Sequence, residues 1–392
     1  MKICVLSETS SIHTVRYINY LKNSGIDVFA VTNKINPSLD VKQYELKYGL
    51  PLFVSSQNSA FRNAISPLSI LHVKNILRKE KPDIVHAHYT SSYGFIGALT
   101  NFKPLIISVW GSDVLLNQTK YFGILKRMSS FALKKASLII CDGVEVQKTV
   151  SSLGGKNIKL IYFGVDTDKF KPNKNKDNTL NIIISLRNHE PLYDVETFVK
   201  AIAIVNEKHL NSYFIVAGSG SQTEYLKKLS EHYPIEFPGN IDSNYYLNQS
   251  HIYVSTSKSD SGLSVSTGEA MACELPVVVT DFGDNNRWIN DGVNGYLFPV
   301  GDYKILAEKI ISLIDNKVMQ KKMGEINRKI VEINFNEKIE MKKVIVLYKK
   351  LVMWGSIDES CPWCDHDNCD GDNCSVRWIK ESRERNYRYD DE

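Results

Sequence analysis

The stretch Tyr253–Phe282, YVSTSKSDSGLSVSTGEAMACELPVVVTDF, decides how this chain is read. It opens on a short apolar strand, Ile252-Tyr253-Val254, and runs through a loop of small polar residues, Ser255 to Ser266. A helix from Thr267 to Glu274 is expected next, stopped by Pro276, and then a second strand, Val277–Thr280. A small-residue loop feeding a helix N-terminus between two parallel strands suits an anion. The first helical amides have no internal partner, and the macrodipole adds partial positive charge there. Glu269 falls in the first turn, where its carboxylate could accept hydroxyl hydrogen bonds from a ribose. The same residues, Ser266-Thr-Gly-Glu269, also fit a capping box that serves only the helix itself.

Working outward, continuous apolar runs alternate with helical patterns along most of the chain. The runs include Ile3–Leu6, Val28–Val31, Ile84–Val85, Leu105–Val109, Leu138–Cys141, Leu160–Tyr162, Ile182–Ser185 and Tyr213–Ala217. Continuous rather than alternating runs mark strands covered on both faces. Helix-compatible segments lie between them, among them His13–Asn23, Leu68–Lys79, Val195–Lys208 and Tyr303–Ile314. This order predicts an α/β fold with parallel sheets and right-handed crossovers. It breaks once, at the polar run Lys171–Asn178, where a linker between two doubly wound domains is expected. The expected division is 1–168, then 179–335, with a last helix at 336–355 and a tail at 357–392.

The chain has 392 residues, 43% apolar and 23% charged, with a net charge of +4. That length argues for two cores rather than one. The mild charge gives no reason to expect nucleic acid. No apolar run reaches the length of a membrane span. Met1–Leu6 is too short an apolar run for a leader and reads as a first strand, so a cytoplasmic protein is expected, able to sit peripherally on the inner face of the plasma membrane. Cys4, Cys141 and Cys273 stand alone in apolar contexts. Cys361, Cys364, Cys369 and Cys374 crowd the tail with His366 among them, enough thiolates for a tetrahedral site. A structural zinc or iron site is expected there, against a redox-labile or disordered tail. The tail's basic second half, with Arg377, Arg383 and Arg385, is either a contact for anionic lipid or a solvated end.

Chemistry-bearing residues follow the predicted strands. After the first come Ser11, His13 and Arg16; after another, His86 and His88; after a third, Trp110-Gly111-Ser112-Asp113. The two histidines at i and i+2 point the same way on a strand, and a satisfied polar cluster is favoured over a metal pair because no third ligand is evident. Arg187, closing the run Ile182–Leu186, could fork onto a diphosphate.

Taken together, these segments resemble the GT-B fold retaining glycosyltransferases of family 4, the glycosyl transferases group 1, over about residues 1 to 355. The matching segments fall in order: Ile12–Tyr17, Pro82–His88, Gly111–Asp113, Gly164–Asp166, Ala217–Gly220, Phe237–Gly239, Glu269–Cys273 with Leu275–Val278, and Asp291–Gly295. The resemblance implies two Rossmann-like domains facing a cleft, with the last helix crossing back onto the first domain. It implies a UDP- or GDP-linked hexose-type donor on the second domain, near Arg187, Ser261, Gly262, Leu263, Ser264, Val265, Ser266 and Glu269. A glycan or polyprenyl-linked acceptor would lie against Ser11, His13, Arg16, His88, Trp110 and Asp113. Arg187 would hold the diphosphate and Glu269 the ribose, with no cofactor required for catalysis. The implied setting is surface polysaccharide or glycolipid assembly. Four positions depart from the family pattern: Ser261 replaces a Glu, Tyr193 a Lys, Trp110 a His and Glu274 a Gly. A nucleotide-sugar epimerase of the same fold and a non-catalytic sugar-nucleotide-binding partner are the rival readings.

Overall fold

Strands buried on both faces need helices on both sides, and the chain folds accordingly. A computed structural model describes residues 1–46, 66–115, 123–177, 179–260 and 262–354. The four clustered cysteines, Cys361, Cys364, Cys369 and Cys374, lie outside the described residues, as does Ser261.

The first sheet contains β1 (Lys2–Leu6), β2 (Asp27–Thr32), β3 (Lys42–Glu45), β4 (Ile84–His88), β5 (Leu105–Val109), β6 (Leu138–Cys141) and β7 (Ile158–Leu160). Its order is β3-β2-β1-β4-β5-β6-β7 and every pairing is parallel. The second sheet contains β8 (Asn181–Leu186), β9 (Ser212–Ala217), β10 (Ile235–Glu236), β11 (Ile252–Ser255), β12 (Val277–Thr280) and β13 (Gly295–Phe298). Its order is β10-β9-β8-β11-β12-β13, again all parallel. Strand order reverses at β1/β4 in one sheet and β8/β11 in the other. In open α/β sheets those are the points where a crevice forms outside the carboxyl ends.

Each sheet has apolar layers on both faces. In the first, Leu6, Val85, Ile107 and Cys141 pack on one side, while Ile3, Val5, Ile84 and Ile106 pack on the other. The helix Glu337–Trp354 supplies Met341, Val344, Tyr348 and Leu351 to that second layer. This helix follows the helix Lys317–Asn334, whose Val331 packs with the second sheet's core. The chain therefore returns to the first sheet at Asn336, which bridges to Val165. Tyr348 ties the returning helix to the sheet, its hydroxyl 2.5 Å from His86 Nδ1. Among the described residues no helix is long and apolar enough to cross a membrane.

One expected boundary moves, with a consequence for the site. The motif helix spans Val265–Ala272, two residues earlier than its pattern predicts. Ser264, not Ser266, is the cap, accepting from Thr267 N at 3.2 Å. Such a cap contributes about 1 kcal/mol. The capping box from Ser266 to Glu269 does not form, and Glu269 sits in the second turn. Its carboxylate is released from capping. At the far end Glu274 takes φ 58°, the left-handed conformation that glycine occupies at little cost. β7 also lies two residues before the expected Leu160–Tyr162.

Candidate active site

Both switch points open on one cleft of about 610 Å³, in the size range of small-molecule sites. Its second-domain wall begins with Arg187, held at the end of β8. The guanidinium pairs with the Asp260 carboxylate, donates from Nη1 to Ser266 Oγ at 3.2 Å, and stacks on the Tyr193 ring 4.7 Å away. Arg187 Nε is buried and has no partner among the described residues. Ser266 is fixed in turn by the Tyr253 hydroxyl at 2.9 Å. Gly262, Leu263, Ser264, Val265, Ser266 and Glu269 also line this wall. Burial pushes the Glu269 carboxyl above the usual range, against the pull of Arg16 and the Ser243 hydroxyl.

The first-domain wall is aromatic. Trp110 packs against His88 at 4.7 Å, Tyr89 at 5.0 Å and Phe163 at 5.3 Å between ring centroids. His13 lies 5.0 Å from the Phe163 ring. Arg16 lines the cleft too, but its guanidinium is engaged by Glu337 Oε1 at 2.9 Å and the Gly164 carbonyl at 3.2 Å.

Three expected acceptor-side residues do not line the cleft, His88 among them: it is fully buried, packed on Trp110 and bonded through Nδ1 to Ser7 Oγ at 2.9 Å. Ser11 is the N-cap residue of the helix Ile12–Asn23, and Ile12 rather than Ser11 reaches the cleft. Asp113 is buried behind the wall, its Oδ2 accepting from Thr90 N at 2.8 Å, while Ser112 faces the cleft. Successive side chains at a helix start are turned about 100° from one another, so Ser112 lines the cleft where Asp113 does not, and Ile12 and His13 line it where Ser11 does not. His86 is a satisfied core histidine, bonded to Ser108 Oγ at 2.8 Å as well as Tyr348. Among the described residues no group of three His, Cys, Asp or Glu could hold a metal.

Asp142 and Asp284 were not singled out in the sequence, yet they join the two walls. Asp142 directly follows β6 and lines the cleft. A Cβ at Gly262 would stand 2.4 Å from the Asp142 carbonyl oxygen, so only glycine lets the second-domain loop seat there. Val144 N, at the start of the helix Val144–Ser152, donates to Asp284 Oδ2 at 2.5 Å. A carboxylate from one domain thus caps a helix of the other. Burial, then the charges of Asp113, Asp284 and Asp260, push the Asp142 carboxyl up to about 8. Burial also raises Asp113, to about 6. An acidic residue straight after a buried parallel strand was the available signal for Asp142.

Two parallel α/β domains closed over a cleft, with a guanidinium and a helix start facing aromatic rings, define a class of nucleotide-sugar-handling GT-B proteins. Comparison with known proteins agrees. Residues 2–143 match the family "Glycosyl transferase 4-like", and residues 166–330 match "Glycosyl transferases group 1". An Escherichia coli UDP-Gal:alpha-D-GlcNAc-diphosphoundecaprenol alpha-1,3-galactosyltransferase is 25% identical, over 73% of this chain and 80% of its own length. The capsular polysaccharide biosynthesis glycosyltransferase CapM of Staphylococcus aureus is 24% identical, over 84% of this chain and 92% of its own. Among solved structures, HepE of Anabaena in complex with UDP-glucose superposes with a TM-score of 0.74 at 17% identity, covering 90% of this chain and 100% of that one. The chain belongs to the group 1 glycosyltransferases of GT-B fold.

Proposed function

We propose that the protein moves a hexose-type sugar from a UDP- or GDP-linked donor to a glycan or lipid-linked acceptor, with retention of anomeric configuration. The observation that carries this reading is Arg187, which lines the cleft and whose fork stands beside the start of the helix Val265–Ala272. A diphosphate there would meet the guanidinium and the helix amides together. Glu269, freed from capping and lining the cleft, would accept hydrogen bonds from the ribose hydroxyls. Catalysis is then positioning plus stabilisation of the leaving diphosphate, which can itself take the acceptor proton on the same face. UDP is favoured by the names of the relatives: one transfers from UDP-Gal, and HepE was solved with UDP-glucose. The first relative also acts on a diphosphoundecaprenol, which supports a lipid-linked acceptor here.

A thermal-shift screen of UDP, GDP and their sugars tests this. The cognate donor at a hundredfold excess over its Kd should stabilise the chain by about 2.7 kcal/mol. Glu269→Ala should then weaken donor binding about tenfold or more while its ligand-free melting stays near wild type. Unchanged donor affinity in that variant would remove the ribose role. The anomeric configuration of the product, read by NMR, decides retention. Release of free UDP and a changed sugar with no acceptor present would point instead to epimerisation.

A further inference from the structure

The face of the first sheet turned away from the returning helix is covered by the helices Pro67–Glu80, Phe95–Thr100 and Ile124–Lys135. The short middle helix touches both of the others. Their inner sides, with Val73, Ile76, Leu125 and Met128, fill the core below. Their outer sides also carry apolar groups. Leu68 and Leu71 are 62% and 55% exposed, and Ile124 and Phe131 are 48% and 37% exposed. These groups fall in stripes at helical spacing. Leu68, Leu71, Asn75 and Arg78 form one; Ile124, Arg127, Phe131 and Lys134 form the other. Phe131 meets Phe95 of the middle helix, with ring centroids 5.6 Å apart, which carries the apolar surface across.

The charge on this face has one sign. Lys74, Arg78 and Lys79 lie on one outer helix, and Lys126, Arg127, Lys134 and Lys135 on the other; the middle helix carries no charge. The one acid of these helices, Glu80, is buried and held by Lys2 and Lys42. None of the cations on the two outer helices is paired with a carboxylate among the described residues. The whole chain has a net charge of only +4, so this concentration is local. Each outer helix leads directly into a strand, β4 or β6, and packs back along the sheet antiparallel to it. Its first turn therefore stands at the carboxyl edge, on which the cleft opens. Leu68, Leu71 and Ile124 are at that end, and Arg78, Lys79, Lys134 and Lys135 at the other.

Exposed apolar groups among unpaired cations fit a surface that is anionic outside and apolar beneath. Nucleic acid would satisfy the cations and leave the leucines in water. A second copy of this chain, meeting the same face, would set like charges against each other. We propose that this face docks on an anionic phospholipid bilayer, with Leu68, Leu71 and Ile124 entering the headgroup region and the cations resting on lipid phosphates. Its purpose rests on the lipid-linked acceptor reading, because a docked cleft edge would meet an acceptor held in the bilayer.

The test is co-sedimentation of the full chain with vesicles of phosphatidylcholine alone and of an equal mixture with phosphatidylglycerol. The mixed vesicles should bind about tenfold or more tightly, and less so as salt is raised. Leu71→Gln with Ile124→Gln should lower that affinity about tenfold, and Arg127→Glu with Lys134→Glu by at least as much, each pair melting near wild type. Arg377→Ala with Arg383→Ala and Arg385→Ala, in the tail, should change it by no more than about twofold. No vesicle binding, binding indifferent to lipid charge, or binding unchanged in either folded helix variant would overturn the docking face. Loss of binding in the tail variant alone would overturn it too. If one helix variant does not fold, the other decides. The vesicles hold neither donor nor acceptor, so they report docking by itself. A chain that docks yet transfers only to water-soluble glycans would break the lipid-linked reading and keep the face.

Discussion

The two walls of the cleft are built on the same plan and carry opposite chemistry. Each is the carboxyl end of a parallel sheet at its switch point. The second-domain wall offers a guanidinium, hydroxyls and a helix start, at Arg187, Ser264 and Ser266. The first-domain wall offers rings and a neutral imidazole, at Trp110, Phe163 and His13. A fixed charge and oriented amides suit an anion that arrives already charged. Stacked rings with neutral polar atoms suit an uncharged polyol face, because burying a neutral group costs far less than burying an unpaired ion. The difference teaches that the fold supplies only position, and that the few residues after each strand set the chemistry each wall presents.

The largest expected effect lies on the charged wall. Arg187→Ala should lower kcat/KM about 10²–10³-fold, the usual cost of removing one such donor from developing charge. It also leaves Asp260 buried without its cation. Arg187→Ala with Asp260→Ala should therefore recover part of the lost stability and none of the rate. Initial rates and urea melts on the single and double variants check both halves. If Trp110→Ala costs as much rate as Arg187→Ala, the division between a charged wall and an aromatic wall fails.

The next effect, read as stability rather than rate, concerns the seam where the walls meet. Asp142 has a carboxyl near 8 in the folded protein, against 3.8 for an ordinary aspartate. Between those values the folded chain holds a proton that the unfolded chain has released. The stability associated with this residue is therefore complete at low pH and is lost as pH rises toward 8. Asp142→Asn does not titrate. Its stability relative to wild type should climb from about pH 4 to about pH 8, by at most about 1.4 kcal/mol per pH unit, and then level off. Denaturant melts across that range provide the check. A pH-independent difference would mean that Asp142 is not held protonated between the domains.

Much of this was legible in the chain, and what was not has physical causes. Leu105–Val109, Leu138–Cys141 and Val277–Thr280 are strands as read, because burial on both faces leaves an unbroken apolar run. Lys42-Gln-Tyr-Glu45 was not read as a strand, since an edge strand can carry charge and shows no such run. Arg187 and Glu269 stood out because each follows or opens an element at the carboxyl edge. The choice of Ser264 over Ser266 as cap was not visible, since both fit the local pattern. Burial of the neighbouring Leu263, together with Gly262 seated on Asp142, accompanies the earlier start. The seating of Gly262 on the Asp142 carbonyl and the Asp284 cap on Val144 join residues more than a hundred positions apart. No local pattern encodes those contacts, so the way the walls meet emerged only in three dimensions.

The smallest expected effect separates position in sequence from position in the cleft. Ser11 immediately precedes Ile12 and His13, and sequence alone gives it equal standing with them. In the fold its side chain makes no capping bond, and its neighbour Ile12 reaches the cleft instead. Ser11→Ala should leave transfer rates within error and change stability by no more than about 0.5 kcal/mol, as for a surface position without a special contact. Side-by-side rates and melts for Ser11→Ala and His13→Ala sharpen the comparison. His13 is packed against Phe163 and Trp110, so its loss should disturb the aromatic wall. A rate loss in Ser11→Ala equal to that in His13→Ala would show that the first-domain wall extends further along the helix start than its ring contacts define.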